Sequence, residues 1–105
     1  MVQRQLEVNL DAIGPGSLKC ISAGSPSRSL RADIEEALRA RVRPEDIRHL
    51  YGDVLLVYTA AEPLAVRDWL IPALTDDESV FVTEFENWSG RGPAADRAWL
   101  LRRGH

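Results

Sequence analysis

Residues 47–58 read Ile-Arg-His-Leu-Tyr-Gly-Asp-Val-Leu-Leu-Val-Tyr. Two strand-prone runs, Ile47 to Tyr51 and Val54 to Tyr58, flank Gly52-Asp53, a pair suited to the left-handed backbone of a tight turn, which predicts an antiparallel hairpin. Its second arm is apolar on both faces, the pattern of a strand covered on both sides. Downstream, Pro63 suits the first turn of a helix on which Val66, Trp69, Leu70 and Ala73 share one arc. Pro72 should end or kink that helix, because it has no amide hydrogen to bond back to Asp68. An acidic turn over Thr75 to Ser79 leads to a strand at Val80 to Asn87, with Val80 and Val82 on one side and Phe81 and Phe85 on the other. After Trp88, the Ser89 to Gly92 breaker precedes a short helix over Pro93 to Arg103. Its apolar residues Ala94, Trp99, Leu100 and Leu101 spread around the axis, so it should dock on the rest of the chain.

Upstream, Leu18 to Ala23 is a short apolar run suited to an interior strand, closed by Gly24 and Pro26. Helical periodicity follows over about Ser27 to Arg41, where Leu30, Ile34, Ala37 and Leu38 fill one arc and Ser25-Pro26 suits a cap and first turn. Pro44 stops that helix through its clash with α geometry at Arg43. Val2 to Leu10 alternates, with Leu6, Val8 and Leu10 on one side, and predicts an edge strand that the Gly14-Pro15-Gly16 cluster ends. Without this first strand and the last helix, the order is βαββαβ. The expected fold is therefore α+β: a ferredoxin-like βαββαβ sandwich with an added N-terminal edge strand and a short C-terminal helix, a single domain over 1–105. Both main helices should cover one face of the sheet. The other face should be bare, and the two-faced apolar strands lead us to expect a second copy or another protein on it.

Composition narrows the function classes. The chain has 105 residues, 45% hydrophobic and 28% charged, with 13 Lys and Arg against 16 Asp and Glu. That is an ordinary globular balance, and a chain this long hides roughly two-thirds of its unfolded surface. The net charge of -3 gives no reason to expect sequence-blind nucleic-acid binding. The first 52 residues are near neutral and the remainder is acidic, although it ends in an Arg-rich stretch. A lone cysteine, Cys20, fits a reducing compartment. The N-terminus lacks the apolar run of a signal peptide, and no stretch is long and apolar enough to span a bilayer. A cytoplasmic protein is expected, with no membrane contact.

Chemistry-bearing motifs are sparse. There is no glycine-lysine phosphate loop, no paired-His metal helix and no nucleophile elbow, so no catalytic residue, metal site or cofactor is assigned. Asp76, Asp77 and Glu78 form the densest carboxylate run and read as an acidic solvated turn, with a hard cation as the alternative. His49 and Asp53 flank the hairpin and could meet as an acid-base pair, although a surface His and a turn-forming Asp is the simpler reading. Cys20 reads as a small core residue. Arg28, Arg31 and Arg39 with Glu35 read as surface ion pairs. The serine-rich stretch Ser22 to Ser29 precedes a helix start, where an anion could sit, but it lacks a specific pattern. Arg91, Arg97, Arg102 and Arg103 lie near Trp88 and Trp99 and form a candidate nucleic-acid-binding surface, against the alternative of core tryptophans and solvated arginines.

From His49 onward, HLYGDVLLVYTAAEPLAVRDWLIPALTDDESVFVTEF resembles the SinR-like proteins related to the small CRISPR-associated adaptation ribonuclease family. The likeness lies in the hairpin ending in an apolar strand and Thr, the helix bearing Val-Arg-Asp-Trp-Leu, the acidic turn and the following strand. It covers about a third of the chain. The resemblance implies a ferredoxin-like homodimer joined through or beside the open sheet. Nuclease members of that family carry an Asp at the end of the first core strand, where it helps to hold a divalent metal; Ser22 stands there in this chain. The leading expectation is thus a non-catalytic dimerising or protein-interaction module using Val54, Leu56, Tyr58, Phe81, Phe85 and Trp88. A metal-dependent nuclease working from Asp53 or the Asp76 to Glu78 turn, and a nucleic-acid-binding module, are the alternatives.

Overall fold

The computed structural model describes residues 16–92 and 95–103. The apolar run after Gly16 forms β1 (Ser17–Gly24). It is followed by α1 (Arg31–Arg39), a 3₁₀ turn (Pro44–Asp46), β2 (Ile47–Tyr51) and β3 (Val54–Thr59). Then come α2 (Pro63–Leu70), a 3₁₀ turn (Ile71–Ala73), β4 (Ser79–Phe85) and α3 (Arg97–Leu101). The described strands make one antiparallel sheet in the order β2-β3-β1-β4. With βαββαβ as the chain order, this is a ferredoxin-like α+β arrangement. The expected N-terminal edge strand at Val2 to Leu10 lies outside the described residues.

The hairpin turns where Gly52 adopts a φ of 51°, a conformation that costs glycine nothing and a branched residue a great deal. Strand alternation then sends Ile21 of β1 and Leu55 and Val57 of β3 to the helical side. There they meet Leu30, Ile34 and Leu38 from α1 and its entry, and Val66 and Leu70 from α2, all fully buried in one cluster. Each such side chain contributes about 1.5–3 kcal/mol by leaving water. Pro63 occupies the first turn of α2, and the helix gives way to a 3₁₀ turn around Pro72.

Three expectations are corrected. Apolar residues on both faces suggested cover on both sides for β3 and β4; β3 is central, but β4 is an edge strand with Phe81 exposed. The first helix begins at Arg31 rather than near Ser27, and Ser25 does not cap it. Its N-terminus is instead met from the hairpin: the Asp53 carboxylate accepts from the Arg31 amide at 3.1 Å and from Ser29 Oγ at 2.9 Å. A carboxylate there complements the exposed amides and the helix dipole. Finally, the second face of the sheet is not bare, because α3 lies over one end of it.

Candidate functional site

Cross-strand register builds the second face in three rows. Tyr58, Leu18 and Phe85 align in the first; Arg48, Leu56, Cys20 and Thr83 in the second; Val54, Ser22 and Phe81 in the third. Leu18 and Leu56 are buried with Trp99 and Leu100 of α3, and Cys20, Leu50, Tyr58, Phe85 and Trp88 pack around them. The third row stays open to solvent, and Phe81 is 67% exposed.

A five-residue helix has too few turns to hold itself together. Its cover depends on directional bonds. Asp96 accepts from the Trp99 amide at 3.0 Å, capping α3, while its other oxygen pairs with Arg48 Nη2 at 3.0 Å. Trp99 Nε1 donates to the Glu45 carbonyl at 2.9 Å. Arg103, only 11% exposed, pairs with Asp46 at 3.0 Å, donates to the carbonyls of Trp99 and Glu45, and stacks over the Trp99 ring at 4.2 Å. The bonds to Glu45, Asp46 and Arg48 join α3 to the segment before and within β2.

The six candidate interface residues therefore divide. Leu56, Tyr58, Phe85 and Trp88 belong to the cluster under α3, whereas Phe81 and the half-buried Val54 lie in the uncovered row. Among the candidate nucleic-acid residues, Arg91, Arg97 and Arg102 are exposed, and Arg103 is turned inward as described. Asp53 serves the start of α1 and His49 Nε2 contacts the Gly52 carbonyl at 2.8 Å, so the two side chains are engaged elsewhere and not with each other. Cys20 is half-buried, and burial pushes its thiol pKa up, away from reactivity at neutral pH.

The acidic turn is organised around Glu78, whose side chain is 2% exposed. Arg28 grips it with Nε at 2.7 Å and Nη2 at 2.8 Å. Ser25 Oγ and the Thr75 amide donate to it, each at 2.9 Å. The Arg28 guanidinium, with help from Thr75 and Ser25, holds the Glu78 carboxyl at about 2, and the pairing drives the Arg28 pKa further up. Asp77 accepts from Thr75 Oγ1 at 2.6 Å. Among the described residues, no three His, Cys, Asp or Glu side chains gather as metal ligands would. Arg31 and Arg39 both pair with Glu35, but Arg28 lies before α1 and belongs to the Glu78 network.

Sequence reasoning missed Lys19. It is the chain's one lysine, 1% exposed, on the helical side of β1. Its Nζ donates to Ser17 Oγ at 2.7 Å and to the Thr59 carbonyl at 2.8 Å, with Glu84 at 3.9 Å. Burial lowers its pKa, and Glu84 and Glu62 oppose that shift. The alternation that places Lys19 beside Ile21 on the core side was the available signal.

The two sheet edges also differ. β2 carries a register irregularity between His49 and Tyr51, and Arg48 on it is tied to Asp96. β4 pairs regularly with β1 from Ser79 to Phe85, and no described strand pairs its outer side. Compared with family models, with curated proteins and with solved structures, the chain has no match in any of the three.

Proposed function

We propose that this chain is a small protein-interaction module that self-associates through the outer edge of β4 and the uncovered row of the second face. The carrying observation is an outer edge of β4 that no described strand pairs, next to an exposed Phe81. Natural edges are blunted by charge, proline, bulges or cover. β4 has no proline and no bulge, and Glu84 is its one charge, while the β2 edge has a bulge and an anchored arginine.

The β4 sequence also suits a second copy of itself. In a two-fold antiparallel pairing centred on Val82, Phe81 faces Thr83, Val80 faces Glu84 and Ser79 faces Phe85. No two like charges stand opposite each other, and an aromatic side chain meets a β-branched one on the open row. Such a pairing extends the sheet across the dimer and brings the two Phe81 rings under shared cover.

Analytical ultracentrifugation from micromolar to millimolar concentration tests the reading. The native chain is expected to dimerise. The double variant Phe81→Lys, Thr83→Lys places charges at two exposed positions and should weaken association by at least about tenfold, with an unchanged melting temperature at dilutions where both chains are monomeric. A native chain that stays monomeric throughout, or a double variant that dimerises as tightly, overturns the proposal.

A further inference from the structure

An open cavity of about 590 Å³ lies between the Pro44–Asp46 turn, β2 and α3, and Arg43, Arg48, Arg102 and Arg103 all contribute to its lining. Each guanidinium carries five N–H donors and accepts nothing. The two carboxylates in the lining, Glu45 and Asp46, are already engaged: Asp46 is shared by Arg103 at 3.0 Å and Arg43 at 3.4 Å, and Glu45 lies 3.7 Å from Arg43. Arg48 uses Nη2 on Asp96, yet its Nε is buried with no acceptor among the described residues, and so is the Nε of Arg103. Arg102 is exposed, and no carboxylate pairs with it among the described residues. Donors thus outnumber acceptors in a concave site, and buried donors are rarely left without partners.

We propose that this cavity binds the phosphate group of a small phosphorylated ligand, with Arg48 and Arg102 as its direct contacts and Arg43 closing over the exposed side. A phosphate presents several acceptor oxygens in a geometry that matches the guanidinium fork. The Nε–H of Arg48 is a donor still without an acceptor among the described residues, and a phosphate oxygen would supply one. Tyr58, Ile47 and Pro44 supply an apolar wall for the organic part, and the volume falls within the roughly 300–1,000 Å³ of small-molecule sites. Arg103 is a positioning residue, because its bonds to Trp99, Glu45 and Asp46 hold the wall. A small ligand is favoured over a nucleic-acid strand. Four arginines line the concave site, while the chain as a whole carries a net charge of -3 that disfavours a long polyanion.

The site is separate from the β4 edge, so its test is independent of self-association. Inorganic phosphate and AMP are titrated into the full chain in chloride buffer of matched ionic strength, with the arginine Nε–H resonances followed by NMR. Saturable shifts at Arg48 are expected, with AMP binding more tightly than phosphate. Arg102→Gln, at an exposed position, should weaken AMP binding by about tenfold. Shifts that fail to saturate, or that appear equally at Arg31 and Arg67, overturn the proposal. So does an unaltered affinity in the Arg102 variant, or binding of a single-stranded oligonucleotide without binding of AMP.

Discussion

The two faces of the sheet are covered by different physics. On the helical side, Ile21, Leu55 and Val57 meet aliphatic residues of α1 and α2, and the cluster excludes water through shape and volume. On the second side, Leu18 and Leu56 meet Trp99 and Leu100 of a five-residue helix that Asp96, Glu45 and Asp46 tie in place. Non-directional packing over many contacts makes a face that opens only when the whole fold opens. Cover held by a few charge-assisted bonds at one end is a unit that can open alone. It also leaves the Val54, Ser22 and Phe81 row in water, which is where the proposed association begins.

Leu55→Ala makes the largest demand on this contrast. Leu55 is fully buried on a central strand, so its truncation leaves a cavity among residues that cannot all collapse into it. A loss of about 2–5 kcal/mol in unfolding free energy is expected by denaturant titration, with a single cooperative transition retained. Loss of less than the lower bound would mean that the helical side is more loosely packed than its burial implies.

Trp99→Ala probes the other side. It removes both the aromatic anchor and the indole bond to the Glu45 carbonyl. The expected global loss is smaller, about 1–3 kcal/mol, because the helical side remains closed. Hydrogen exchange supplies the sharper readout: amides of α3 should exchange through local opening while those of β1 and β3 keep their protection. Equal loss of protection in α3 and the central strands would merge the two faces into one cooperative unit and break the comparison.

How far the sequence carried the reading depends on the range of the interactions. Strand alternation, Gly52-Asp53 and Pro63 are local signals, and they located β1, β2, β3 and α2 within a residue or two. The start of α1 was not legible, because the group that meets its first amide is Asp53, on another element. The docking of α3 was anticipated from its dispersed apolar residues. Its place was not, since Trp99 bonds to a backbone carbonyl 54 residues away, and a carbonyl leaves no trace in residue type. Two-sided apolarity failed for β4 because it was taken to mean two-sided cover, whereas Phe81 stands in water. Of the candidate site, the shared face of Val54, Leu56, Tyr58, Phe81 and Phe85 follows from alternation and register. The division between covered and open rows depends on where a distant helix lands.

The helical side also carries ion pairs, and Glu78→Gln tests how much of that side's closure depends on the Arg28–Glu78 network. Arg28, in the segment between β1 and α1, grips Glu78 in the turn before β4, and also bonds to the Ala73 carbonyl and to Asp33 of α1. It therefore fastens both helices to the edge strand. In the folded chain Glu78 titrates at about 2, against about 4.5 when unpaired. A depressed carboxyl pKa means that the unfolded chain binds the proton more readily. The stabilisation is complete above about pH 4.5 and disappears as the pH falls through about 2. Asp33 also faces Arg28 and remains in the variant, so the comparison isolates Glu78. Denaturant titrations across this window should show native stability declining with acid more steeply than that of the Gln variant. The variant should be less stable at neutral pH, and the two curves should converge near the lower end. Parallel curves would remove Glu78 as a fastener and leave the helical side closed chiefly by packing, making the contrast between the faces sharper.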